Sequence, residues 1–115
     1  MNIEEFRDYC LSKSAVTEAL PFDEKTLVFK VNGKMFTLTN MENFEFVNLK
    51  CNPQYAIDLR EEYEGIKPGY HMNKTHWNSV STDGNVPDEL FYELIDLSYD
   101  LVTQGLRRKV RESLK

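Results

Sequence analysis

Long apolar runs are missing from this sequence, in which no run of hydrophobic residues is longer than three. A membrane-spanning helix needs about 20 consecutive apolar residues, so the sequence predicts no such helix and no membrane as a partner. Residues 1–5 also lack the basic and then apolar order of a secretory signal. We therefore expect a cytoplasmic protein.

Cysteine and the common catalytic and metal-binding motifs are equally scarce. Cys10 and Cys51 stand alone, which predicts buried free thiols rather than a metal or redox site. No phosphate-binding glycine loop, dinucleotide fingerprint, zinc pattern or nucleophile elbow is present. His71 and His76 are five residues apart, which places them on opposite faces of a strand, and no obvious third ligand accompanies them. The sequence thus predicts no enzyme, no catalytic residue, no metal site and no cofactor.

Charged residues are unevenly distributed. The 115 residues are 41% hydrophobic with a formal net charge of −5, values typical of one globular domain covering residues 1–115. Residues 107–115 form a basic tail with five basic residues and one acidic residue, a net charge of +4 that leaves −9 on the rest. Such a tail most often interacts with the carboxyl end of a helix, whereas a nucleic acid would need it as a local binding stripe.

Capping signals and apolar spacing predict the first elements. Asn2 and Glu5 form a capping box for a first helix. Its apolar face is expected to contain Ile3, Phe6, Tyr9 or Cys10, and Ala15. Residues 17–23 are expected to connect this helix to the sheet.

An Asn-Gly pair predicts a tight hairpin at residues 27–38. Asn32-Gly33 suits the positive φ angles of a type I′ turn. Pairing Val31 with Lys34 places one apolar set on a single side of the hairpin. That set consists of Phe29 opposite Phe36 and Leu27 opposite Leu38, while Val28, Lys30, Met35 and Thr37 lie on the other side.

The remaining elements complete one fold class. A third strand is expected at residues 44–50, with Val47, Leu49 and Cys51 inward. Asn52-Pro53 begins a second helix, two short strands follow around Tyr70 and at residues 77–80, and Pro87 opens a last helix that ends at Gly105. The expected fold is α+β, a two-layer sandwich of an antiparallel sheet with helices on one face, in the order α-β-β-β-α-β-β-α.

One segment concentrates residues suited to binding. Residues 67–80, the basic segment, contain both histidines, the only tryptophan and two lysines, but no acidic residue. Cations, amides and aromatic rings together suit phosphate contacts and base stacking. They also suit a structural role, in which Trp77 anchors the core and the asparagines form turns, and composition alone favours that role.

Several stretches of the sequence form a specific pattern. They are residues 48–53 (NLKCNP), residues 63–80 (YEGIKPGYHMNKTHWNSV), Val86-Pro87 and Ser98-Tyr99. This pattern closely resembles the MmcQ/YjbR family over essentially the whole chain. The resemblance implies a small bacterial cytoplasmic protein with an antiparallel α+β fold, similar to type III secretion chaperones and to the frataxin-like protein CyaY.

The resemblance also implies a function and a set of site residues. Members of the family are described as DNA-binding through a double-wing arrangement of strands, so DNA is the expected partner. The site carried over consists of Lys50, His71, Asn73, Lys74, His76 and Trp77. The lysines would contact phosphates, Asn73 would read a base edge, and Trp77 would pack beneath them or stack on a base. Binding through two or three lysines would be weak and sensitive to salt.

Two other functions stay open. A protein-interaction or chaperone-like adaptor would bind a partner peptide beside His71 and Trp77. Its apolar contacts would be Phe44, Phe46 and Met35. A small-molecule sensor would have a pocket around Tyr70, His71 and Trp77. The expected oligomeric state is a monomer, or a weak dimer formed through Leu106 and Val110.

Overall fold

Three helices and a six-stranded antiparallel sheet occupy residues 1–104, the part of the chain that the computed structural model describes. In chain order they are α1 (Ile3–Leu11), β1 (Val16–Ala19), β2 (Thr26–Val31), β3 (Lys34–Asn40), β4 (Phe46–Lys50), α2 (Pro53–Glu62), β5 (Ile66–Pro68), β6 (Trp77–Ser81) and α3 (Asp88–Gln104). Across the sheet the strands follow the order β1-β2-β3-β4-β6-β5. The predictions for Gly105, the basic tail, Leu106 and Val110 lie outside the described residues.

Buried strand residues show which face of the sheet the helices cover. Phe29, Val47 and Val80 belong to one core cluster with Phe6 of α1 and Phe91 of α3, which confirms the predicted α+β sandwich with helices on one face. The opposite side of the sheet, which no helix of residues 1–104 covers, is called the helix-free face below. Its strand residues are Thr17, Ala19, Thr26, Val28, Lys30, Met35, Leu38, Asn40, Phe46, Asn48, Lys50, Lys67, Trp77, Ser79 and Ser81.

The first helix begins as predicted but ends earlier. Asn2 Oδ1 accepts a hydrogen bond from Glu5 N at 2.8 Å, and Asn2 N donates to Glu5 Oε1 at 3.2 Å, so the capping box is confirmed. The helix ends at Leu11, and the prediction that Ala15 lies on its apolar face is wrong. Ala15 has a φ of 62°, a left-handed conformation that cannot continue a right-handed helix.

The predicted connection at residues 17–23 contains part of an additional strand. Strand β1 pairs with β2, with Val16 opposite Val31 and Ala19 opposite Val28. It is a four-residue edge strand whose side chains are only half-buried or exposed, so its sequence lacks the apolar enrichment that marks buried strands. The order is therefore α-β-β-β-β-α-β-β-α, with one strand more than predicted.

The β2–β3 hairpin has the predicted turn and, at its tip, the predicted pairing. The φ angles of Asn32 and Gly33 are 51° and 83°, as a type I′ turn requires. Val31 pairs with Lys34, but beyond the next pair the register shifts by one residue. The predicted pairs of Phe29 with Phe36 and of Leu27 with Leu38 are wrong. The observed partners of Phe29 and Leu27 are Thr37 and Thr39.

A β-bulge at Phe36 causes this shift. A bulge adds one unpaired residue to a strand, and here Phe36 and Thr37 are both completely buried, while Leu38 lies on the helix-free face. The bulge interrupts the hydrogen-bond ladder, and Ser98 of α3 bridges the gap. The Ser98 hydroxyl donates to Phe36 O at 2.5 Å and accepts from Lys50 N at 2.9 Å.

The strand expected around Tyr70 lies earlier in the chain. Strand β5 is Ile66–Pro68, and Tyr70 follows it in a loop, so that prediction is wrong. Pro68 is tolerated because β5 lies at the edge of the sheet, where the missing N–H interrupts no ladder. Strand β6 and the inward orientation of Val47 and Leu49 are confirmed.

Candidate functional site

Residues 69–76 form a loop between β5 and β6, here called the covering loop, which folds back over the helix-free face. Tyr70 N donates to Ser79 Oγ at 2.9 Å, and Asn48 Nδ2 donates to Tyr70 O at 3.2 Å. Ser79 Oγ in turn donates to Asn48 Oδ1 at 2.5 Å. Because Asn48 and Ser79 are buried and bonded to each other, the sheet fixes the position of the loop.

The two ends of the covering loop are joined directly. Gly69 N donates to Trp77 O at 2.8 Å, and Trp77 N donates to Asn73 O at 3.0 Å. A Cβ atom at position 69 would lie 2.8 Å from Trp77 Cβ, so only glycine allows this approach. Lys74 Nζ donates to Gly69 O at 3.0 Å, which closes the loop across its base.

Arg60 of α2 ties the covering loop to the helical layer, a role that the sequence did not indicate. Its Nε donates to Asn78 Oδ1 at 2.6 Å, and its guanidinium also donates to Lys74 O and, at 3.4 Å, to Trp77 O. Asn78 Nδ2 donates to Ala56 O at 3.3 Å. Arg60 comes four residues after the buried Ala56, so it lies on the same side of α2. That spacing is the sequence signal that could have identified Arg60 as an anchoring residue.

The predicted site residues fall into two groups. His71, Lys74 and His76 are exposed on the covering loop, and the His71 ring lies 4.1 Å from the Tyr70 ring, centroid to centroid. His76 is joined to the end of β4 through its carbonyl, which accepts from Cys51 N at 2.8 Å. The end of the covering loop is thus held beside β4.

Asn73, Trp77 and Lys50 take other positions. Asn73 Oδ1 accepts hydrogen bonds from Thr75 N at 2.9 Å and from His76 N at 3.2 Å, the geometry of a turn-forming asparagine. Trp77 is only 8% exposed and lies on the helix-free face opposite Lys50. The Lys50 side chain is half-buried at the end of β4. Trp77 therefore packs beneath the loop.

An apolar cleft of about 380 Å³ lies on the helix-free face, and we call it the sheet cleft. It is lined by Phe22, Thr26, Met35, Leu38, Thr39, Asn40, Phe46, Asn48, Tyr70, His71 and Met72. The Tyr70 and Phe46 rings meet edge to face, with centroids 5.7 Å apart. Met35 and Phe46 are half-buried in the cleft, whereas Phe44 packs in the core, its ring centroid 5.7 Å from that of Phe6.

The charged strand residues of the helix-free face are all positive. They are Lys30, Lys50 and Lys67, and none of their ammonium groups forms an ion pair or hydrogen bond with residues 1–104. The exposed surfaces of the helices are acidic instead. Their exposed carboxylates are Glu4, Glu5, Asp8, Asp58, Glu61, Glu62, Asp88, Glu89, Glu93 and Asp100. The helix surfaces are therefore acidic, whereas the charged strand residues of the helix-free face are basic.

One end of the helix-free face contains acidic residues. A second, more open groove of about 1090 Å³ runs along β4, β5 and β6 and includes Glu45, Glu64 and Asp83 with Lys67. Backbone N–H and hydroxyl hydrogen bonds hold the pKa of Asp83 below its ordinary value. The cationic part of the face is consequently the end that contains Lys30 and Lys50.

Both cysteine thiols lie in the interior of the described structure. Cys10 and Cys51 are free and buried, as predicted. Burial raises the pKa of the Cys51 thiol to about 11 and also raises that of Cys10, so both are protonated at neutral pH. The same residues contain no cluster of three or more metal-ligating side chains. No helix among them is sufficiently long and apolar to cross a membrane.

Comparison with known proteins relates this fold to solved structures. A Deinococcus radiodurans protein with a DUF419 domain has 38% sequence identity and a TM-score of 0.93, covering 98% of this chain and 87% of that one. A Pseudomonas syringae protein has 28% identity and a TM-score of 0.75, covering 88% and 98%.

Sequence relatives point to one family. The uncharacterized protein YjbR of Escherichia coli K12 is 34% identical over 115 residues, 99% of this chain and 98% of its own length. The uncharacterized protein YbdF of Escherichia coli O157:H7 is 38% identical over 96 residues, 83% and 79% of the two chains. A family model described as YjbR matches residues 11–101. The chain therefore belongs to the YjbR family.

Proposed function

We propose that the chain is a non-enzymatic protein that binds nucleic acid weakly, through phosphate contacts at the cationic end of the helix-free face. The observation that carries the proposal is the segregation of charge. Lys30, Lys50 and Lys67 are the charged strand residues of this face, and their ammonium groups have no partners within residues 1–104. Lys67 borders the acidic groove, so Lys30 and Lys50 form the cationic end, where unpaired ammonium groups attract a polyanion.

The arrangement of the strands supports the double-wing description that the resemblance implies. Two hairpins flank β4, namely β2–β3 on one side and β5–β6 on the other. The Asn32-Gly33 turn and the covering loop both begin at the end of the sheet that contains Lys50. In this proposal the two hairpins are the wings. Lys30 lies on β2 near the tip of the first wing, and Lys50 lies on β4 between the two wings.

Titration of labelled DNA at several salt concentrations tests the proposal. We expect binding at about 50 mM salt that weakens steeply toward about 200 mM, because each phosphate contact contributes about 0.9 to the slope of log affinity against log salt. Replacing Lys30, Lys50 and Lys67 together with glutamine should weaken binding and flatten that slope. No binding at low salt, or an unchanged slope in the triple variant, would refute the proposal.

Two control variants separate the face from other basic regions. Arg7→Gln removes one positive charge from α1, where the guanidinium pairs with Glu18, and should leave the salt slope unchanged. Glutamine at the basic positions of residues 107–115 tests the tail. If the tail variant alone abolishes binding, the helix-free face is not the binding surface.

A protein-interaction module is the second candidate, and the sheet cleft is the observation that favours it. Phe22 and Tyr70 are 70% and 59% exposed at the cleft, an amount of apolar surface that suits a partner's side chain. This candidate predicts a protein partner whose affinity is insensitive to salt and is lost in Phe22→Ala. Binding that keeps its strength in Phe22→Ala would exclude it.

A further inference from the structure

We infer that the preferred ligand is single-stranded nucleic acid, with an unpaired base bound in the sheet cleft between Phe22 and Tyr70. This inference rests on the proposed function and adds the class of nucleic acid. The first observation is the exposure of aromatic rings. Phe22 is 70% exposed and Tyr70 is 59% exposed, although most large apolar side chains of residues 1–104 are buried.

The geometry of the rings suits stacking. Tyr70 meets Phe46 edge to face at 5.7 Å and lies 4.1 Å from the His71 ring, so its orientation is fixed by neighbours on two sides. Its backbone is fixed as well, through Ser79 and Asn48. A ring held in this way loses little conformational entropy when a base stacks on it. Trp77 was expected either to pack beneath the site or to stack on a base, and it is buried, so Tyr70 takes the stacking role.

The cleft has the size and polarity of a small-molecule site. Its volume of about 380 Å³ falls at the lower end of the range of about 300–1,000 Å³ for ligand pockets, which suits one base rather than a folded peptide. Its lining is largely apolar and includes Asn40 and Asn48. Asn40 Oδ1 accepts from Glu42 N and Asn43 N, which leaves the Asn40 NH₂ group without a partner within residues 1–104.

Charge places the phosphate backbone of a bound nucleic acid at one end of the sheet cleft. Lys30 pairs with Met35, which lines the cleft, and Lys50 follows the cleft residue Asn48 by two positions on the same face, about 7 Å away. Asp23 lies at the other end, where its carboxylate accepts hydrogen bonds from Lys25 N and Thr26 N at 2.8 and 2.7 Å. Phosphates therefore lie toward Lys30 and Lys50, and the base extends from there into the cleft.

Duplex DNA cannot use this cleft, because its bases are paired and stacked inside the helix. A single strand presents free base faces, and stacking on aromatic side chains is the usual device of proteins that bind single strands. The combination of exposed rings, a cleft and lysines at one end thus favours a single strand over a duplex.

The experiment compares a labelled short oligothymidylate with a duplex of the same length, at about 50 mM salt. We expect the single strand to bind more tightly. Tyr70→Ala should lower its affinity about tenfold and change duplex affinity less than twofold. Tyr70→Phe should retain single-strand affinity, whereas Tyr70→Leu should not, because leucine keeps apolar volume without a ring. Tyr55→Ala, at an exposed tyrosine on α2, is the matched control and should have no effect.

Aromatic side-chain NMR spectra identify the bound region independently of affinity. Oligothymidylate should shift the ring signals of Phe22 and Tyr70 and leave those of Tyr55 in place. Equal affinity for both DNA forms, or full single-strand affinity in Tyr70→Ala, would overturn the inference but leave the proposed function standing. No binding of either DNA form would overturn both. Shifts produced by an apolar peptide but not by oligothymidylate would overturn the inference in favour of a protein partner.

Discussion

At the scale of single residues, Ser98 shows how one hydroxyl repairs a break in the sheet. The bulge at Phe36 ends the regular β3–β4 ladder, so the carbonyl of Phe36 and the N–H of Lys50 need another partner. The completely buried Ser98 hydroxyl supplies one to both, at 2.5 and 2.9 Å. A buried backbone group left without a partner costs about 1–3 kcal/mol.

Ser98→Ala is therefore expected to lower the free energy of unfolding by about 2–3 kcal/mol, because both backbone groups lose their partner. Urea denaturation measures this as a lower midpoint with an unchanged m-value. Thr103→Ala on the same helix is the matched control, since its exposed hydroxyl donates only to Asp100 O, and should change stability by less than about 0.5 kcal/mol. A Ser98→Ala midpoint equal to the wild-type value would contradict this account.

At the scale of elements, the covering loop depends on contacts from strands and from a helix. Asn48 and Ser79 hold its first half, and Arg60 holds its second half through Lys74 O and Trp77 O. Asn48, Ser79 and Arg60 belong to three different elements, but all three form hydrogen bonds with residues of the covering loop. The loop is consequently expected to be as well protected from exchange as the strands beside it.

Arg60→Ala should release the second half of the covering loop. Hydrogen bonds to charged donors contribute about 1.5–3 kcal/mol, so we expect the amides of His76 and Trp77 to exchange with solvent at least about tenfold faster. Hydrogen exchange followed by NMR measures this, with the amide of Val47 as an internal reference. Arg7→Ala, which removes an exposed ion pair on α1, serves as the control and should leave exchange unchanged. Unchanged exchange at His76 in Arg60→Ala would show that Arg60 does not anchor the loop.

At the scale of the whole molecule, the acidic helix surfaces and the basic strand residues of the helix-free face lie on opposite sides of the sandwich. A helix is about 10 Å across, so carboxylates on the outer surface of α3 lie farther from the helix-free face than the Debye length of about 8 Å at physiological salt. Their repulsion of a polyanion is therefore largely screened. Local lysines, rather than net charge, then decide whether DNA binds.

The double variant Glu89→Gln, Glu93→Gln tests this separation, because both side chains are exposed on α3. We expect it to raise DNA affinity less than twofold at about 150 mM salt and to leave the salt slope unchanged, since no phosphate contact is added. The double variant Lys30→Gln, Lys50→Gln changes the net charge by the same amount in the opposite direction and should reduce the slope. A slope that changes equally in both variants would mean that net charge, not the local face, controls binding.

Local signals predicted the parts of the fold that depend on neighbouring residues. The capping box at Asn2, the proline at the start of α2 and the Asn32-Gly33 turn each act within a few residues, and each is confirmed. The bulge at Phe36 and strand β1 were missed because their pairing depends on distant elements. Ser98, which compensates for the bulge, lies 62 residues further along the chain.

The sequence indicated which residue types the candidate site contains, but not how they are arranged in space. Residues 67–80 stood out as a basic segment, and the backbone of His76 within it is hydrogen-bonded to the end of β4. Composition favoured a structural role for Trp77, which is buried, but the exposure of Tyr70 depends on how the loop folds back beside Gly69. Phe22 was missed altogether, since only the folded sheet brings residues 20–25 and the covering loop to the same cleft.

In the covering loop, the residues that fix its fold differ from those that face outward. It is fixed by Asn48, Ser79 and Gly69, which lie in or next to strands, whereas its outward side chains, such as Thr75 and His76, contribute little to the core. Substitutions at the outward positions should therefore change the free energy of unfolding only slightly. One scaffold could in this way acquire different ligands in different organisms while its architecture stays the same.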